Sequence, residues 1–230
     1  MYNRRKSDDQ NLARISRLNE IGIALSAEDD LEKLLEMILI KAKEIANADA
    51  GILFTRHEVE DALIQRVRIC ESLNIRVGGT TGEPTYGRPV ELYNTKGEPV
   101  TGSITAAATV LQQSIYIDDI YDHPEFDYAS TKAFDERKGY RTKSVLAVPM
   151  ITKRKEVIGV IRLSNAQSVD GEVIGFNKET QQLVESLASQ AAVVLDNELL
   201  IQGLEDFLES LIQLVAKAVD QKSPHTGNHL

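Results

Sequence analysis

At 230 residues, 42% of them hydrophobic and 27% charged, the chain has enough apolar material for one packed domain and an extension. Its net charge of −9 leaves no basic face for a polynucleotide, and no stretch reaches the ~18 apolar residues of a membrane span, so neither nucleic acid nor membrane is expected as a partner and the location is expected to be cytoplasmic. A single cysteine, Cys70, excludes an internal disulfide, a thiolate zinc site and any redox cycle that needs a resolving thiol within the chain.

Leu12, Ile15, Leu18, Ile21 and Leu25 recur at helical spacing and predict an amphipathic helix through about Leu25. Asp29 is the expected N-cap of a second helix, with Glu32 completing a capping box and the stripe Leu31, Leu34, Leu35, Ile38, Ala42, Ile45 behind it. The period then changes to two. "GILFTRH" (51–57) and "ALIQRVRIC" (62–70) predict a β-hairpin, in which Cys70 reads as a small buried hydrophobe. Residues 78–102, rich in Gly, Pro and Thr, predict an irregular excursion with one strand near 89–94.

Ser103 is placed to cap a short helix to about Gln112, followed by a strand at 114–117, a polar segment with helical content at 118–143, and two strands, "SVLAVPMI" and "VIGVIRLS", around the turn at 153–155. From Asn177 to about Asp220 no proline interrupts the chain. Leu187, Val194, Ile201, Leu208 and Val215 fall on one heptad register and Leu183, Leu204, Leu211 and Ala218 on another, which predicts a helix of about 40 residues, ~60 Å long. Such a rod is longer than the domain, and its seam is expected to pair with a second copy, giving a homodimer. Gln190 and Asn197 on the second register are of the kind that set register and oligomer state.

The order of elements and several residue clusters resemble a GAF domain, the sensor module of cyclic-nucleotide phosphodiesterases and bacterial signalling proteins. The clusters are Ile117-Asp118-Asp119-Ile120-Tyr121 with Phe126; Asp135 with Gly139-Tyr140-Arg141-Thr142-Lys143-Ser144 and Pro149; and Val157-Ile158-Gly159-Val160 with Leu163 and Asn165. The resemblance implies an α+β fold: a central antiparallel sheet of about six strands flanked by helices, with long N- and C-terminal helices and a pocket between helices and sheet. It implies a sensor domain over residues 18–200, after a helical extension at 1–17. As ligand-binding residues it implies Asp119, Tyr121, Phe126, Asp135, Tyr140, Arg141, Thr142 and Ser144, the ligand being an unidentified nucleotide or metabolite. Asp119 and Asp135 equally suit helix caps, Tyr121 and Phe126 suit packing, and Arg141 suits an ion pair with one of those aspartates.

Among GAF domains that bind cyclic nucleotides, an internal Lys to Asp-Glu tether stands beside the pocket. Here Asn165 and Phe176 match that pattern, but Ala166 and Thr180-Gln181 replace the charges. A cyclic-nucleotide receptor is thus one alternative reading, and a dimerisation scaffold with a vestigial pocket another. The lone Cys70 argues against sulfoxide-reductase chemistry and bilin attachment.

The tail, "LESLIQLVAKAVDQKSPHTGNHL", resembles the opening of HD-GYP phosphohydrolases, which hydrolyse cyclic di-GMP, through Asp220, Lys222, Thr226, Gly227 and His229. Residues 201–230 are accordingly expected to be a linker helix and the start of such a domain. His229 would be its first metal ligand, the others lying beyond Leu230, on a divalent metal of Fe or Mn type. The stretch itself is then expected to carry no cofactor and no catalytic residue, and to regulate a metal-dependent cyclic di-GMP phosphodiesterase.

Overall fold

The computed structural model describes residues 16–57 and 60–222; Leu12 and Ile15, most of the 1–17 extension, and the tail with His229 lie outside them. Residues 16–26 are helical (α1), followed by α2 (Leu31–Ala46), β1 (Ala48–Arg56), β2 (Ala62–Cys70), β3 (Ile75–Gly78), β4 (Val90–Glu91), α3 (Ile104–Leu111), β5 (Ile115–Ile117), α4 (Ala129–Lys138), β6 (Val145–Ile151), β7 (Val157–Gln167), β8 (Val173–Ile174) and α5 (Lys178–Lys222). The expected α+β architecture is present: one antiparallel sheet runs β3-β2-β1-β7-β6-β5, with the two-residue strands β4 and β8 hydrogen-bonded to β2 and β7.

Capping of α2 differs from expectation by one residue. Asp30 is the N-cap, its Oδ1 accepting from the Lys33 amide at 3.0 Å. Glu32 does not close a capping box; it pairs with Arg66 on the sheet. The cap must sit immediately before the first helical residue, and Asp30, with its extended backbone, holds that place ahead of Leu31.

Alternation along the strands splits the core in two. Leu53, Val67, Ile69, Leu146, Val148, Ile161 and Leu163 face α1, α2 and the first turns of α5, where Leu34, Leu35, Ile38, Leu187, Ala191 and Leu195 are buried. Ile52, Phe54, Val145, Ala147 and Val160 face the other way, towards α3, Ile120 and Tyr128. Gly51 permits the tight seat of α2 on this sheet: a Cβ there would lie 2.8 Å from a Leu39 methyl.

Helix α5 is a single element of 45 residues. Val184, Leu187, Ala188, Ala191, Ala192 and Leu195 are buried beneath the sheet, whereas from Leu200 onward the apolar side chains emerge, Leu204 at 59% and Phe207 at 62% exposure. The heptad pattern therefore covers two environments, its first residues packing on the sheet and its later ones lying open along the rod. Among the described residues no helix is long and apolar enough to cross a membrane.

Candidate functional site

A cavity of about 750 Å³ lies on the second face of the sheet, roofed by α4, the N-terminal turn of α3 and the excursion around Tyr86–Val90. Its floor follows from the pleat. Arg68 on β2 and Arg162 on β7 both stand opposite Ile52 of the intervening β1. All three therefore project from one row of the same face. Cys70 and Ser164 stand in the same way opposite Ala50 in the next row. The small side chain of Ala50 keeps the floor low in that row.

The charge of the lining runs against that of the chain. Arg68, Arg88, Arg137 and Arg162 line the cavity with Asp127 as the one acidic residue among the described lining residues, and Asp127 is occupied in accepting from the Ala129 amide at the start of α4. Arg68 lies over the Phe134 ring at 4.2 Å, Arg137 over the same ring at 5.9 Å, and Arg162 near the Phe54 ring at 5.7 Å. Burial, reinforced by the charge of Arg68, pulls the Arg162 pKa down to about 10. Burial likewise lowers that of Arg68. Above them Tyr128 is 6% exposed, its buried Oη has no hydrogen-bond partner among the described residues, and burial raises its phenol to about 12.

Tyr140 and Thr142 are the residues of the sequence-derived set that line this cavity. Both are committed to structure as well. Tyr140 donates to Asp49 Oδ2 at 2.6 Å and accepts from Asn165 Nδ2 at 2.9 Å; burial, then the hydrogen bond to Asp49, pushes its phenol far above the ordinary value. Thr142 donates to Asp135 through its amide at 2.7 Å and its hydroxyl at 2.9 Å.

The other six build the wall behind. Asp135 is not a helix cap: it sits inside α4 at 2% exposure and also accepts from Tyr121 Oη at 3.0 Å, tying α4 to the 140–143 loop. Asp119 caps no helix either; it accepts from the Tyr121 amide and from Arg141 at 3.0 Å, and Arg141 also covers the Tyr121 ring at 4.2 Å. Phe126 packs edge-on against Tyr128 at 6.2 Å. Ser144 donates to the Ile174 carbonyl at 2.7 Å, joining β6 to β8. Asn165, in left-handed backbone at φ 58°, accepts from the Lys143 amide at 2.7 Å and donates to the Arg141 carbonyl at 2.8 Å, which clamps the loop that carries Tyr140 and Thr142.

Sequence reasoning passed over Arg68 and Arg162, placing both in strands without giving either a role. A signal existed in "VIGVIRLSN": an arginine in a strand apolar on both faces has to point into something polar.

Comparison with known proteins agrees with this architecture. The GAF domain profile matches residues 30–195. Among solved structures, the GAF domain of an Acinetobacter phosphoenolpyruvate-protein phosphotransferase is similar at 12% identity and a TM-score of 0.59, over 83% of this chain and 98% of that one. The corresponding domain from Coxiella burnetii is similar at 16% identity and a TM-score of 0.58, over 83% and 96%. A GAF domain/HD domain protein from Geobacter sulfurreducens is similar at 15% identity and 0.51, over 76% and 98%. With a sheet, two helical layers and a profile match that agree over most of its length, the chain belongs to the GAF domain family.

Proposed function

We propose that this chain is the ligand-sensing regulatory module of a bacterial-type signalling protein, working as a homodimer through α5 and controlling an HD-GYP cyclic di-GMP phosphodiesterase domain downstream. The observation that carries the reading is the 750 Å³ cavity, whose floor strands seat α2 on their opposite face, with α5 packed in turn against α2 and β6. Its size is that of small-molecule sites in general. The exposed apolar row Leu200, Leu204, Leu208, Leu211 and Val215 suits a second copy of the same helix, because identical rods bury such a row against each other along their whole length. The HD-GYP element rests on the residues between Asp220 and His229, and the Geobacter sulfurreducens relative likewise joins a GAF domain to an HD domain.

Native mass spectrometry of the freshly purified chain tests both parts. A dimer carrying a co-purified small molecule is expected. A monomer at high micromolar concentration would remove the signalling route, and a dimer stabilised by no metabolite in a broad thermal-shift panel would leave a scaffold in place of a sensor. The downstream assignment is tested on the longer protein, where cyclic di-GMP hydrolysis must change on ligand addition.

A further inference from the structure

We infer that the ligand of this cavity is a small organic molecule carrying a compact dianion, a phosphomonoester or a dicarboxylate, gripped by Arg68 and Arg162. The inference rests on the sensing role proposed above and supplies its ligand class. Among the described residues, neither arginine has a carboxylate within ion-pairing distance, although the chain as a whole carries net charge −9. Acidic partners are not scarce in this protein; they are held elsewhere. Asp135 acts on Arg68 only through space and is committed to Thr142 and Tyr121. Asp49 is committed to Tyr140 and Ser72.

Two arginines on one row of a pleated floor, their backbones about two strand spacings (~10 Å) apart, carry like charges that repel each other when nothing lies between them. Each offers a planar fork of donors that matches carboxylate or phosphate oxygens. The unpartnered Tyr128 Oη adds a donor from the roof. The N-terminal turn of α3 opens onto the same space, and its cap Ser103 makes no side-chain bond to the helix. Arg137 and Arg88 extend the positive lining outward. The Phe134 ring under Arg68 and the Ile52 side chain leave apolar surface for the uncharged body of the ligand. A cation or a neutral base would leave both arginines unanswered.

The test is a thermal and calorimetric titration of the whole chain, after dialysis into HEPES, with inorganic phosphate, ribose 5-phosphate, succinate, adenosine, guanosine and spermidine. At least one phosphorylated or dicarboxylic probe is expected to raise the melting temperature, by roughly 5–10 °C at 100 times its dissociation constant. Which of the two classes acts decides between phosphomonoester and dicarboxylate. Arg68→Met and Arg162→Met keep the side-chain stem and should each weaken that binding at least ~10-fold. The same probe should slow alkylation of Cys70 in the unaltered protein, a readout independent of any variant. Equal binding in both variants overturns the inference. Binding of adenosine, guanosine or spermidine without any anion also overturns it while leaving a sensor in place, and a panel without any binder overturns both.

Discussion

Replacing Arg162 with methionine is expected to make the ligand-free protein more stable, even though the side chain lines the cavity. Burial, followed by the charge of Arg68, brings the pKa of Arg162 from 12.5 to about 10. At ~1.36 kcal/mol per tenfold, the difference amounts to about 3 kcal/mol against the charged form in the folded state. The guanidinium is buried but lines the cavity, where water screens it, so ~1–2 kcal/mol is the expected effect. For a base whose folded pKa is depressed, the penalty is complete below about pH 10 and fades as pH rises towards 12.5. Methionine retains the apolar stem and removes the charge. Urea unfolding near neutral pH, in a buffer free of phosphate and carboxylate, should show a higher midpoint for Arg162→Met, and heating a melting temperature about 2–8 °C higher. A variant less stable than its parent by 1 kcal/mol or more would refute the reasoning, because it would mean that Arg162 is held by favourable contacts and is not strained by its surroundings.

Asp135→Ala leaves the buried Thr142 amide and hydroxyl without an acceptor and should cost ~2–4 kcal/mol in urea unfolding, with Asp135→Asn intermediate. For Asp49, burial acts upward, but hydrogen bonds from Tyr140 and Ser72 outweigh it and hold the carboxyl below its ordinary value. Its stabilisation is therefore present above about pH 4 and lost as pH falls through the lower folded value, so the stability gap between the parent and Asp49→Asn should narrow below about pH 4. Leu187→Ala, in the buried part of α5, should cost ~2–5 kcal/mol without any requirement for self-association. Leu208→Gln, on the exposed part, should leave the unfolding midpoint of the dilute protein within about 0.5 kcal/mol while sedimentation shows weaker association. Burial pushes the Cys70 thiol up, so its alkylation near neutral pH should be slower than that of free cysteine and should accelerate only in alkaline solution.

The long elements were legible in the sequence because their periodicity is strong: α2, the β1–β2 hairpin, β6, β7 and α5 lie where the apolar spacing places them. Strands β3 and β8 were not, being held by neighbours whose identity the local sequence does not carry. Ile75–Gly78 pairs with β2, and the segment beyond it is anchored by the Thr80 amide and hydroxyl on buried Glu36. The cluster around Asp135, Tyr140 and Thr142 stands together as the sequence grouped it, but its internal hydrogen bonds were not legible, since a carboxylate that braces a loop and one that holds a ligand look alike in sequence. Arg68 was missed for a related reason. Alternation tells which residues share a face of a strand; it does not tell whether that face meets solvent or an enclosed space, a matter decided by α4 and the 78–102 excursion from far along the chain.

Strand β7 has a consequence of its own. Arg162 sits on the cavity side, while its two chain neighbours, Ile161 and Leu163, are fully buried against the helices on the reverse. A guest that draws the guanidinium inwards tugs on peptide units whose reverse side seats α2, and α2 is in turn packed against the root of α5. The partition wall is then also the lever, and a rod ~68 Å long magnifies at its far end whatever tilt it receives at its root.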